Sequence, residues 1–199
     1  MINSKKMKHS IPRKILLIGA STGGPGQIEK IIKELSILND SAIVIAQHMT
    51  SGFMSSFSKQ LQTYSENTIS VAQNNEYLQV GKIYTCCGDI KLEKDNQGIF
   101  FIKKELLHMT DFNPDINKVF NSFVNISENI EIFCVILTGI GRDGVDACQA
   151  LSLKGHYTLT ESENSAIVDG MPSRARAEVK DIHIMDIENI TKKIKEFCL

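Results

Sequence analysis

The chain has 199 residues, 42% of them apolar, which is enough for one domain with a full core and too many for a disordered polar segment. Its 22 basic and 23 acidic side chains leave a net charge of −1, so there is neither a nucleic-acid footprint nor a pull toward an anionic membrane. The five cysteines are odd in number and form no C-x-x-C pair, which argues against a disulfide framework or a zinc site and suits a reducing cytoplasm.

Met1–Arg13 is basic and polar without an apolar centre, so it is expected to be a flexible tail before a single domain over residues 14–199, not a secretory signal. No stretch approaches the roughly 20 apolar residues of a membrane helix, so no membrane insertion is expected. Lys14–Ile18 reads as a buried strand. Gln27–Leu38 places Ile28, Ile31, Ile32 and Leu35 at helical spacing. Ala42–Ala46 is a second buried strand, and Gly52–Tyr64 spaces Phe53, Phe57 and Leu61 as a helix would. Ile69–Ala72 and Lys82–Thr85 are short strands. Asp89–Lys94 and Ile99–Lys103 flank Asp95-Asn96-Gln97-Gly98 as a hairpin. Pro114–Ile126 is a helix with Ile116, Val119, Phe120 and Phe123 on one side. Ile132–Leu137 is a third buried strand, followed by a helix over Asp143–Leu153. Strands at Tyr157–Thr160 and Ile182–Met185 and helices at Met171–Val179 and Ile187–Phe197 complete the chain. The alternation predicts an α/β fold: a doubly wound, mostly parallel sheet with helices on both faces and an added antiparallel hairpin. It does not give the strand order.

In such a sheet ligands bind beyond the carboxyl ends of the strands. Ser21 follows the first buried strand, His48 the second, and Asp143 lies in the Gly-rich loop after the third. If the three strands are parallel, a serine, a histidine and an aspartate meet at one edge. Serine is a poor nucleophile alone; histidine can take its proton, and a carboxylate can hold the imidazole tautomer. Gly19-Ala20-Ser21-Thr22-Gly23 fits G-x-S-x-G, the strand-to-helix turn that exposes a nucleophile. A phosphate loop is excluded because Pro25 stands where lysine is required, and a dinucleotide fingerprint because Ser21 stands at its middle glycine. On pattern alone Ser21 is either a nucleophile or part of a tightly packed turn, and both readings stay open. His48 alone could be structural, and Asp143 alone could cap the helix that follows it. Asp146 reads as first-turn charge on that helix. His9, His108, His156 and His183 read as structural. The order Ser, His, Asp differs from the Ser, acid, His order of lipases and esterases.

Four co-ordered blocks carry a family resemblance. They are Ile18-Gly19-Ala20-Ser21-Thr22-Gly23-Gly24; Gln47-His48-Met49 with Gly52-Phe53; Val135 through Gly144; and Gly170-Met171-Pro172 with Ala175. From about Ile15 onward the chain resembles the catalytic domain of the bacterial chemotaxis protein-glutamate methylesterases (CheB-type). The resemblance implies Ser21 as nucleophile, His48 as general base and then acid, and Asp143 as the orienting carboxylate. It implies an oxyanion hole of backbone N–H groups near Thr22 and Ile140, and no metal or cofactor. It implies a methylated glutamate on the cytoplasmic helical bundle of a methyl-accepting chemotaxis receptor as substrate, with glutamine deamidation by the same acyl chemistry in some members. Asn113-Pro114-Asp115-Ile116-Asn117 stands where the family commonly has Arg-Pro-Ser-Val-Asp, and Cys86-Cys87-Gly88 where Ala-Pro-Gly is usual. These departures leave the three site residues intact and alter the expected receptor contacts. Typical members also carry an N-terminal receiver domain as a phosphorylation-controlled lid. With only Met1–Arg13 before the first strand, the expectation is a site without that lid. A serine hydrolase for another ester or amide, or a non-catalytic receptor-binding module, are the competing expectations.

Overall fold

The computed structural model describes residues 11–105, 113–126 and 130–199. Along the chain run β1 (Lys14–Ala20), α1 (Gly24–Glu34), β2 (Ser41–Gln47), α2 (Ser51–Gln62), β3 (Thr68–Val71), β4 (Glu76–Tyr77) and β5 (Lys82–Thr85). Then come β6 (Ile90–Lys94), β7 (Phe100–Lys104), α3 (Ile116–Val124), β8 (Glu131–Ile136) and α4 (Val145–Leu153). The chain closes with β9 (Tyr157–Glu161), α5 (Met171–Glu178), β10 (His183–Met185) and α6 (Ile187–Cys198). The Met1–Arg13 segment falls mostly outside the described residues. At its end Pro12 is buried, and Arg13 exchanges backbone hydrogen bonds with Asp40 and Glu131.

Seven strands form one sheet in the order β10-β9-β8-β1-β2-β5-β3, all parallel. β1, β2 and β8 are apolar nearly throughout because helices cover both faces. Ile15 and Leu17 of β1 face one core with Ala42, Val44, Ile132 and Cys134. Leu16 and Ile18 face the other with Ile43, Ile45, Phe133 and Val135. α3, α4 and α5 close the first side through Phe120, Phe123, Leu151 and Met171, and α1, α2 and α6 close the second through Ile28, Ile31, Leu61 and Ile190. Full burial of each such aliphatic or aromatic side chain is worth about 1.5–3 kcal/mol.

The predicted hairpin forms as β6 and β7. Together with β4 it makes a separate three-stranded antiparallel sheet, packed through Ile90, Leu92, Phe100 and Ile102 against the α3 side. β4 was not anticipated: two residues carry no alternation to read. α1 starts three residues earlier than its apolar spacing suggests. Gly23 takes the left-handed conformation at its N-cap (φ 84°), and Pro25 sits in the first helical positions, where its missing N–H costs nothing. It ends earlier too. Leu35 is extended, and the Asn67 side chain takes the N–H of Leu38 and donates to the Ser36 carbonyl, pulling that segment into a loop.

The chain builds β2, β3 and β5 on one side of β1, then crosses back to place β8 on the other. β1 therefore lies at the switch point of the sheet, where a crevice forms beyond the carboxyl ends.

Candidate active site

Ala20 pairs with Gln47 at the ends of β1 and β2, so Ser21 and His48 leave the sheet side by side. The backbone N–H of His48 donates to the Ala20 carbonyl (2.9 Å), extending the ladder by one step. On the other flank the loop after β8 passes close to the serine, and the N–H of Ser21 donates to the Thr138 carbonyl (2.9 Å). Neighbouring parallel strands thus bring together three residues spread over more than half the chain.

The contacts are direct. His48 Nδ1 lies 3.1 Å from Ser21 Oγ, and His48 Nε2 lies 2.7 Å from Asp143 Oδ2. The imidazole is turned so that Nδ1 faces the hydroxyl and Nε2 the carboxylate. With the proton on Nε2, held by Asp143, the Nδ1 lone pair is directed at the serine. Ser21 is 9% exposed, and the side chains of His48 and Asp143 are 8% and 16% exposed, so the chain of bonds is shielded yet reachable. Such an arrangement can carry a serine proton to imidazole.

Asp143 does more than meet the histidine. Its Oδ2 also accepts the Ile116 N–H (2.8 Å), and its Oδ1 accepts the N–H groups of Asn117 (2.9 Å) and Gly144 (2.8 Å). Ile116 and Asn117 open α3, so the carboxylate sits on free donors at a helix N-terminus. Asp115 caps the same helix by accepting from Lys118 N–H. Burial works against the charge of Asp143, but the bonds from His48, Ile116 and Asn117 outweigh it and hold the carboxyl below the ordinary carboxylate range. The alternative that Asp143 caps the helix after it is not what the geometry gives: the N-cap of α4 is Gly144, in the left-handed conformation with no side-chain cap, and Asp143 takes the first N–H groups of α3. Asp146 lies in the first turn of α4 as expected.

Thr22 and Ile140 flank the serine on the two loops. Ile140 is 60% exposed. Among the described residues no acceptor is hydrogen-bonded to the backbone N–H of either. A cleft of about 410 Å³ opens here, lined by His48, Asp115, Asn117, Ile140, Gly141, Arg142 and Asp143. The Arg142 guanidinium is engaged by Asp146 (2.7 Å) and Glu178 (2.8 Å). His156 and His183 precede or open β9 and β10 at the opposite, amino edge of the sheet; His183 stacks on Tyr157 at 4.3 Å. His9 and His108 lie outside the described residues.

One residue that local reasoning passed over is Gln47. It is 1% exposed, and its Nε2 donates both to the Ser21 carbonyl and to the His48 carbonyl, each at 2.9 Å. It ties the two turns together from below. The glycine at 24 follows from it: a Cβ there would overlap Gln47 Oε1 and lie 2.7 Å from the Ala20 side chain.

Fold and site define a doubly wound α/β protein with a Ser-His-Asp constellation at the switch point of its parallel sheet. The chain belongs to the CheB methylesterase family, whose model matches residues 16–194. It is 36% identical over 188 residues to a protein-glutamate methylesterase/protein-glutamine glutaminase of Carboxydothermus hydrogenoformans, a match covering 92% of this chain and 53% of that protein. A similarly named protein of Oceanobacillus iheyensis is 36% identical over 167 residues, covering 82% of this chain and 47% of the relative. The chain thus spans about half the length of the curated relatives it matches. The crystal structure of the Thermotoga maritima CheB methylesterase catalytic domain superposes with a TM-score of 0.84 at 29% identity, covering 94% of this chain and 99% of that one. Among the described residues no helix is long and apolar enough to cross a membrane.

Proposed function

We propose that this chain is a serine methylesterase that hydrolyses glutamyl methyl esters on methyl-accepting chemotaxis receptors, releasing methanol and free glutamate in the cytoplasm. The observation that carries the reading is the unbroken sequence of contacts from Ser21 Oγ through His48 to Asp143, at 3.1 and 2.7 Å, beside a cleft that His48 and Asp143 line. Ser21 Oγ attacks the ester carbonyl carbon while His48 Nδ1 takes its proton. Asp143 holds the other ring nitrogen and favours the imidazolium that forms. Negative charge on the carbonyl oxygen is received by the backbone N–H groups of Thr22 and Ile140. The intermediate collapses, and His48 returns the proton to the departing methoxide. A water, deprotonated by the same imidazole, then cleaves the acyl-enzyme and frees the glutamate and Ser21. A glutamine side chain passes through the same steps with ammonia as the leaving group.

The decisive experiment is methanol release from membranes bearing methylated receptor, with wild type and Ser21→Ala side by side. Wild type should turn over and the variant, still folded, should not, because the covalent route is gone. Release from small esters but not from receptor would shift the reading to a different substrate. Near-normal turnover by the alanine variant would end the nucleophile assignment.

A further inference from the structure

Behind the loop that carries Ile140 lies a buried polar cluster that the proposed chemistry does not use. Its centre is Glu161 at the end of β9, with no measurable exposure. Its Oε1 accepts from Gln27 Nε2 of α1 (2.7 Å) and from the Ser165 hydroxyl (2.8 Å). Its Oε2 accepts the backbone N–H of Thr138 (3.1 Å). Among the described residues no salt bridge reaches this carboxylate. The nearby Arg176 guanidinium engages Asp169 and the Glu161 backbone carbonyl instead. Burial pushes the carboxyl upward, against the bonds from Ser165, Thr138 and Gln27.

Taking a carboxylate out of water is costly, and the three donors offset that cost here. What it holds is informative. Thr138 is fully buried and touches the nucleophile turn twice: its carbonyl accepts the Ser21 N–H (2.9 Å), and its hydroxyl donates to the Thr22 carbonyl (2.9 Å). The same hydroxyl accepts the Val168 N–H (2.8 Å), and the next residue, Gly139, donates to the Val168 carbonyl (2.9 Å). Thr138 is thus the joint at which the nucleophile turn, the Gly139–Gly141 loop and the segment before α5 meet. Glu161 fixes that joint from the side away from substrate, and through Gln27 it anchors it to the helix that follows Ser21.

We propose that Glu161 is a positioning residue for the esterase: through Thr138 it sets the spacing between Ser21 and the backbone donors of Thr22 and Ile140. The inference rests on the methylesterase reading above. It assigns Glu161 no contact with substrate. What it requires at position 161 is an acceptor for the Thr138 N–H at the right reach, not a negative charge as such.

Three variants separate these requirements. Glu161→Met keeps the volume and removes every acceptor. Glu161→Asp keeps the charge but withdraws it by one methylene from Thr138. Glu161→Gln can leave an oxygen on the Thr138 N–H while its amide N–H₂ meets the amide oxygen of a turned Gln27. Gln27 Oε1 is buried without a hydrogen-bond partner among the described residues, so it is free to accept. Two readouts are taken per folded molecule: kcat and KM for methanol release from methylated receptor membranes, and the rate at which a fluorophosphonate labels Ser21.

Misplacing a reacting group by a fraction of a bond length to an ångström costs up to about 100-fold, so the methionine variant should lose roughly 10- to 100-fold in kcat with KM within about twofold. Its labelling rate should fall in step. The aspartate variant should lie between, and the glutamine variant should stay within about threefold of wild type. Wild-type kcat in the methionine variant, or activity lost only in proportion to unfolded protein, would overturn the proposal. So would a glutamine variant as impaired as methionine. If the methionine variant does not fold, loss in aspartate with retention in glutamine supports the proposal, and equal activity in both refutes it. Should wild type release no methanol yet label at Ser21, the methylesterase reading fails, and the labelling rates still decide the role of Glu161.

Discussion

Replacing Asp143 with asparagine asks one side chain to keep four N–H partners with half its acceptors. The carboxylate takes His48 Nε2 and Ile116 N on Oδ2, and Asn117 N and Gly144 N on Oδ1. If the amide nitrogen replaces Oδ2, His48 must present a bare Nε2. The ring proton then moves to Nδ1, which faces Ser21 Oγ at 3.1 Å and can no longer accept the serine proton. If the nitrogen replaces Oδ1, it opposes the backbone N–H of Gly144 and that of Asn117 at the start of α3. In either placement the full charge at that helix terminus is gone. The same substitution in a serine-protease triad costs about 10⁴ in turnover, and a loss on the order of 10²–10⁴ in kcat is expected here. Stability should fall by about 1–3 kcal/mol, from one or two disrupted backbone hydrogen bonds and the lost helix-terminal charge. The pH dependence has a definite sign. The folded carboxyl titrates below its ordinary value, so its stabilisation is present above the unfolded value of about 3.9 and is lost as pH falls through the folded one. The gap in stability between wild type and variant should therefore be widest near neutral pH and close in acid. Methanol release at neutral pH and urea unfolding at neutral and acid pH measure both halves. A kcat loss below about threefold would reduce Asp143 to a helix cap, and an unfolding gap that widens in acid would refute the electrostatic reasoning.

Gln47→Leu preserves shape but removes both amide bonds that bind the Ser21 and His48 carbonyls; a stability loss of about 1–2 kcal/mol and a kcat loss on the order of tenfold are expected. Unchanged turnover in a folded leucine variant would show that this bridge does not set the serine–imidazole spacing. The thiols give an independent check on the core. Cys86, Cys134, Cys148 and Cys198 are buried, and burial pushes Cys86 and Cys134 up and Cys198 up to about 11, whereas Cys87 is half-buried. Brief iodoacetamide treatment of the native protein near pH 8, followed by peptide mass spectrometry, should modify Cys87 alone; rapid modification of Cys86 or Cys134 would contradict their placement.

The central strands were legible because a parallel strand covered on both faces must be apolar at successive positions, and LLI, AIVIA and IFCVIL are such runs. The edge strands also lie within one residue of the expected spans, β10 at His183–Met185 against Ile182–Met185 and β3 at Thr68–Val71 against Ile69–Ala72, although His183 and Ile184 are exposed. Helix starts were less legible. α1 begins inside Gly24-Pro25-Gly26, a stretch that local rules read as turn, because only the left-handed Gly23 before it makes the proline a helix opener. Strand order depends on which helix faces pack across the sheet. The insertion of β5 between β2 and β3 is a contact between distant residues that no local window contains.

The site divides along the same line. Ser21 and His48 stood out because each directly follows a buried strand, and Asp143 because it sits in the glycine-rich loop beyond a third; parallel neighbours bring such positions to one edge. Their supports carry no comparable mark. Asp143 adjoins α4 in sequence, so adjacency suggests that it caps α4; it caps α3, whose first residues lie 26 and 27 positions away. Gln47 looks like the last residue of a strand until its amide is found bridging two turns. Glu161, between Thr160 and Ser162, has the local features of a solvated strand end. It is buried, with its carboxylate held by Thr138, Ser165 and Gln27, the last from a helix 134 residues earlier. Groups that face a substrate are placed by the strand ends they follow, and the chain writes that locally. Groups that hold them are placed by packing between elements, which becomes visible only once those elements have met.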